Sequence, residues 1–182
     1  MSYQRYKLVI FAAATEGSVL LLALMLSQWL SIPLTPLTTD FFRDVLIGTA
    51  GAVPPFILFS FLISDKATVI PGIRDLRDVL RGPIRDLFHE ATVVDLIGMA
   101  LLAGFAEECL FRGVLQVKFG IVAASIVFGL AHLITPAYFV IAVVMGIYLG
   151  LFFQYTGSLL AVIHLHFLYD LLALAYLRYR MK

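Results

Sequence analysis

Apolar runs of bilayer length recur along this chain, from Leu8 to Leu30, Val45 to Ile63, Thr92 to about Gln116, Ile121 to about Ile134, Ala137 to about Phe153 and Ser158 to Tyr176. About 20 apolar residues cross the hydrocarbon core as a helix, which satisfies its own backbone hydrogen bonds there. Barrel strands would instead alternate apolar and polar residues over about ten positions. The expected fold is therefore all-α: a polytopic transmembrane bundle of about six spanning helices, in one membrane domain over residues 1–182. Composition agrees, since 62% hydrophobic and 14% charged residues lie far from the soluble norm of about 45–50% and about 25%.

A net charge of +1 without a long basic block excludes nucleic acid as a partner. The lone Cys109 forms no internal disulfide and no multi-cysteine metal site. The lipid bilayer is the partner that composition names, which places the chain in the cell membrane as a multi-pass protein.

Arg5 and Lys7 precede the first run in the manner of a signal peptide, but that run exceeds the usual apolar core of about 7–15 residues. A retained first helix is expected. Glu16 interrupts it, either as a carboxylate hydrogen-bonded to a neighbouring helix or as a residue of a substrate path. Pro33 to Asp44 reads as a loop, and Pro54-Pro55 should kink or break the second helix.

Residues 65–90 form the one strongly charged segment, with Lys66, Arg74, Arg77, Arg81 and Arg85 among five acids. Leu76, Val79, Leu80, Ile84, Leu87 and Phe88 recur at near-helical spacing, so an interfacial amphipathic helix, broken around Gly82-Pro83, is expected. Ile73-Arg74-Asp75-Leu76 is echoed in Ile84-Arg85-Asp86-Leu87, as one repeated face would be. Basic residues at the amino end, in this segment and in the tail of Arg178, Arg180 and Lys182 assign both chain ends to the cytoplasm.

The costliest residues stand in the third run, where Glu107, Glu108 and Arg112 fall within an otherwise apolar stretch. Glu108 and Arg112 are four apart and share a helix face, so they are expected to pair, while Glu107 points about a quarter-turn away. Phe128 and His132 share a face on the next run, as do His166 and Asp170 on the last, with His164 pointing nearly opposite. Counted from the neighbouring turns, Glu107 lies at about 14 Å depth, His132 at about 16 Å and His166 at about 14 Å. That leaves Glu107 as the acid facing His132 and His166.

A glutamate and two histidines at one level suit activation of a water for hydrolysis. The same three residues, Glu107, His132 and His166, are also ordinary zinc ligands, although no H-E-x-x-H stretch is present. Both options stand on the residues alone, and the cofactor requirement is open.

These motifs resemble the CPBP family of intramembrane proteases, which includes the type II CAAX prenyl endopeptidases and relatives tied to bacteriocin processing or self-immunity. Glu107, Glu108 and Arg112 match its E-E-x-x-x-R, Phe128 and His132 its F-x-x-x-H, and His166 and Asp170 its H-x-x-x-N/D, across residues 95–172. The resemblance implies that Glu107 and His132 activate water and that His166 with Asp170 forms an oxyanion-stabilising pair. Glu108 and Arg112 would support them. The implied partner is a membrane-associated peptide or protein substrate.

Asp170 departs from the asparagine of the prenyl endopeptidases, and a carboxylate donates to an oxyanion only when protonated. Orienting or charging His166 is the role it fits, and the substitution weakens the transfer of prenylated specificity. Serine and aspartyl mechanisms fit poorly, since Ser158 starts a helix and Asp95 lies more than two turns from Glu107. The reading from a different class is a non-proteolytic membrane protein whose buried charges serve a scaffold, an immunity role or a small-solute or ion path.

Overall fold

A computed structural model describes residues 2–70 and 72–179; Arg180 and Lys182 of the basic tail lie outside the described residues. The chain runs through α1 (Tyr3–Leu30), α2 (Phe41–Leu62), a 3-10 turn (Asp65–Val69), α3 (Ile73–Val79), a π-helical turn (Leu80–Ile84) and α4 (Arg85–Leu87). It continues through α5 (Val93–Glu108), a second π-helical turn (Cys109–Gln116), α6 (Val117–Ala131), α7 (Pro136–Thr156) and α8 (Leu159–Tyr179). There is no strand among the described residues. Phe11, Trp29, Leu46 and Val122 stand exposed on the outside, an apolar surface that lipid would cover. This is an all-α, multi-pass membrane protein.

Five helical stretches are long and apolar enough to cross a membrane, and one of them, Val93–Ala131, counts 39 residues. As a straight rod it would measure about 58 Å, about twice the hydrocarbon core. It does not run straight. Gly120 takes φ 84° and ψ 168°, a conformation open essentially to glycine alone, and the chain doubles back there. The rings of Phe111 and Phe128, which a straight helix would hold about 25 Å apart, lie with centroids 5.0 Å apart.

Six helices therefore cross or enter the bilayer, as expected, but they are unequal. From Gly120 to Ala131 the descending arm is only about 16 Å long, about half of the core. It returns along α7, where Gly146 lets that helix approach Ser125, and Gly129 lets the arm approach Phe139. Side chains larger than hydrogen at these two positions would meet backbone or side-chain atoms of the neighbouring helix.

Side-chain bonds tie the bundle at each end. At one end Arg5 on α1 pairs with Asp95 at 2.6 Å, and the Arg178 side chain donates to the carbonyl of Ala91 at 3.4 Å. Thr92 caps α5 there, exchanging bonds with Asp95. At the other end the backbone of Leu160 and the hydroxyl of Ser158 both donate to the carbonyl of Leu37. Ser158 also bonds the buried carboxylate of Asp44, which Thr38 meets as well.

Several local expectations change. Helix α2 starts at Phe41 inside the expected loop, because Asp40 accepts from the backbone of Arg43 and caps it. Pro54-Pro55 does not break α2. Proline at 55 leaves the carbonyl of Gly51 without its helical donor, and the hydroxyl of Tyr148 on α7 donates to that carbonyl at 2.7 Å.

The expected break at Gly82-Pro83 is likewise a widened π-helical turn, which accommodates Pro83 without ending the helix. That turn shifts the helical phase. Ile73 and Leu76 are buried while Leu87 is 53% exposed, so the echoed tetrapeptides do not share one face. Arg77 and Arg81 both reach Asp65, and Arg81 also donates to the carbonyl of Ile63 beyond the end of α2.

Candidate active site

Close packing of α5 on α8 builds the site. A Cβ on Gly104 would stand 2.8 Å from the backbone nitrogen of Phe167, so only glycine lets the two backbones come this near. Glu108 lies four residues on, on the same face, and is thereby pressed against α8. Its Oε1 bonds His166 Nδ1 at 2.7 Å.

The other oxygen of Glu108 faces Arg112 Nε at 3.1 Å, with both side chains fully buried. This is the expected pair. The contact lies outside hydrogen-bond geometry, and none of the three guanidinium nitrogens has a hydrogen-bond partner among the described residues. The guanidinium instead sits 5.0 Å above the ring of Phe128 and 5.8 Å from that of Phe111. Charge and ring faces hold Arg112 where directed bonds do not.

Glu107 turns to the other side, toward the short arm. Its Oε1 is 3.8 Å from His132 Nε2, its Oε2 is buried without a partner, and its side chain is 13% exposed. The expectation that Glu107 faces both histidines is thus corrected: Glu107 takes His132 and Glu108 takes His166. Adjacent residues on a helix point about 100° apart, and α6 and α8 lie on those two sides.

His132 is not inside a helix, as its spacing suggested, but directly after α6, where carbonyls lack their helical donors. Its Nδ1 contacts the carbonyl of Phe128 at 2.9 Å. A carbonyl only accepts, so Nδ1 carries the proton and the neutral ring presents a free lone pair at Nε2, toward Glu107. Phe128 stacks on His132 with centroids 4.4 Å apart and meets His166 at 6.2 Å, so it wedges the two histidines apart.

His166 Nε2 faces Asp170 Oδ2 at 3.4 Å, an ion-pair distance longer than a good hydrogen bond. His164 turns to α2 instead and pairs with Thr49 at 2.9 Å. Asp95 lies at the end of the bundle with Arg5, away from Asp170. Glu16 lies on the inner face of α1, on the line of Leu8, Ala12 and Ala23, and its Oε2 is buried without a partner. The hydrogen bond expected of Glu16 is not formed among the described residues.

The zinc option meets an obstacle in the same geometry. His166 has one nitrogen bonded to Glu108 and the other facing Asp170, which leaves no lone pair for a metal shared with Glu107 and His132. Among the described residues no group of three or more His, Cys, Asp or Glu is disposed to hold a metal ion.

Two features of the site are unmarked by any motif or period in the sequence. One is the π-helical turn immediately after Glu108, which widens the helix at Arg112. The other is Tyr138, which no motif marks but whose ring meets that of His132 edge-on at 6.2 Å.

Residues 89–172 match the family model described as Rce1-like, type II CAAX prenyl endopeptidase Rce1-like. An uncharacterized protein, YpbD of Bacillus subtilis (strain 168), is 35% identical over 89 residues, which make up 47% of this chain and 47% of YpbD. The match thus spans about half of that relative's length. No solved structure matches the chain. The matched segment contains Glu107, Glu108, Arg112, Phe128, His132, His166 and Asp170, and over it the chain is similar to the Rce1-like type II CAAX prenyl endopeptidases.

Proposed function

We propose that this protein is an intramembrane endopeptidase that hydrolyses a peptide bond of a membrane-associated protein or peptide. The observation that carries the reading is the facing of Glu107 Oε1 and His132 Nε2 across 3.8 Å, with Glu107 Oε2 free. That gap is too long for a hydrogen bond between them and suits one water held by both.

The carboxylate of Glu107 takes a proton from this water while the lone pair on His132 Nε2 orients it. The water oxygen attacks the scissile carbonyl carbon and its oxygen becomes an oxyanion. When the C–N bond breaks, the proton on Glu107 passes to the leaving nitrogen, yielding an acid and an amine. Glu108, Arg112 and Asp170 act on this step through His166, by holding its ring between two carboxylates.

Both chain ends face the cytoplasm in this reading. The end of the bundle that carries Arg5 and Arg178 adjoins the charged segment 65–90, whereas Arg43 and Lys118 are the main basic residues of the opposite loops. The test is cleavage of internally quenched peptides by purified protein and by Glu107→Gln. Activity that Glu107→Gln abolishes supports the hydrolase. A protein that cleaves none of them, or a variant as active as wild type, favours the non-proteolytic reading.

A further inference from the structure

A hydrolase of this kind needs a hydrogen-bond donor aimed at the developing oxyanion, and the residues that the motifs supply are short of one. An ionised Asp170 only accepts. His166 spends Nδ1 on Glu108 at 2.7 Å, and its Nε2 stands 3.4 Å from Asp170, beside a negative charge that an oxyanion would have to approach. His132 spends its Nδ1 proton on the carbonyl of Phe128. Arg112 is fully buried against Glu108 and the face of Phe128.

A further donor borders the site. Tyr138 stands in the first turn of α7, where its backbone donates to the capping hydroxyl of Thr135. Its ring is anchored beside Ala67, Ile73 and Leu76 of the charged segment and meets His132 edge-on at 6.2 Å. Its hydroxyl takes no part in the bonds that hold the two histidines.

We propose that the Tyr138 hydroxyl is the oxyanion donor of this site, in place of the side-chain amide that Asp170 cannot supply. The inference rests on the hydrolase reading and adds a catalytic residue to it. A phenol is an apt donor here: it stays neutral in an apolar setting and gives one directed O–H. It also explains how the site tolerates aspartate at position 170, since the donor comes from another helix.

The test measures kcat and KM on two internally quenched peptides, one with a farnesylated cysteine four residues from its carboxyl end and one without the prenyl group. Wild type, Tyr138→Phe, Asp170→Asn and the double variant are compared, with Glu107→Gln as control. Tyr138→Phe keeps the ring packing and is expected to lower kcat by about 10²–10³-fold, the usual cost of one oxyanion donor, with KM little changed. In the Asp170→Asn background, where an amide donor is restored, the same change is expected to cost less than about tenfold, the non-additivity of two groups serving one task.

Equal cost in both backgrounds, or no cost in either, overturns the inference; if Glu107→Gln still abolishes cleavage, the hydrolase reading survives it. Absence of cleavage by wild type overturns both.

Discussion

Glu108 and His166, fifty-eight positions apart in sequence, meet at 2.7 Å in a fully buried contact, and Glu108 faces Arg112 on its other side. One carboxylate thus joins α5, the π-helical turn and α8. Breaking such a unit on one side leaves an uncompensated charge in a low-dielectric interior, which costs more than the pair contributes.

Arg112→Met is therefore expected to destabilise the protein by about 3–5 kcal/mol, because the buried Glu108 carboxylate loses the charge opposite it. Adding Glu108→Gln removes the orphaned charge and should recover a large part of the loss. Thermal unfolding of the single and double variants in detergent checks this; a double variant no more stable than Arg112→Met contradicts it.

The bond from Tyr148 to the carbonyl of Gly51 makes a second prediction. Tyr148→Phe leaves that buried carbonyl unsatisfied, at a cost of about 1–3 kcal/mol. Pro55→Ala restores a backbone N–H that can reach Gly51 within the helix, so Tyr148→Phe should cost clearly less in that background. Identical losses in both backgrounds would show that the hydroxyl does not replace the missing donor.

Gly120 carries the reversal between the two arms of the hairpin. A Cβ there meets nothing within 4 Å, so any penalty of Gly120→Ala comes from its positive φ alone. About 1–3 kcal/mol is expected for forcing alanine into that region. An unchanged melting temperature would mean that the turn can be made another way.

The two histidines of the last helix should separate cleanly. His166 is bonded within the site, whereas His164 faces Thr49 on α2. His166→Gln is expected to lower kcat/KM by about 10²–10⁴-fold and His164→Gln by less than about threefold. The reverse order of sensitivity contradicts the placement of the site on the His166 face.

The bundle was legible in the sequence because bilayer physics demands long apolar runs, and six of them stand in plain view. The pairing of Glu108 with Arg112 and the separation of His164 from His166 follow from helical phase alone. What phase could not reach was the third dimension. That Glu107 turns to α6 and Glu108 to α8 depends on Gly104, whose missing side chain sets the approach of α8. The rescue of Pro55 by Tyr148 and the approach of Tyr138 to His132 join residues far apart in sequence or unmarked by any period. The π-helical turns arise from packing, and no local propensity announces them.

The proposed reaction turns on activation of the hydrolytic water by Glu107 with His132. Its most direct test is the single-turnover rate of peptide cleavage by purified wild type beside Glu107→Gln, on the farnesylated and unprenylated quenched peptides. Cleavage of at least one peptide by wild type is expected, with a loss of about 10²–10⁴-fold in the variant and its melting temperature retained. Cleavage by Glu107→Gln at the wild-type rate would contradict it.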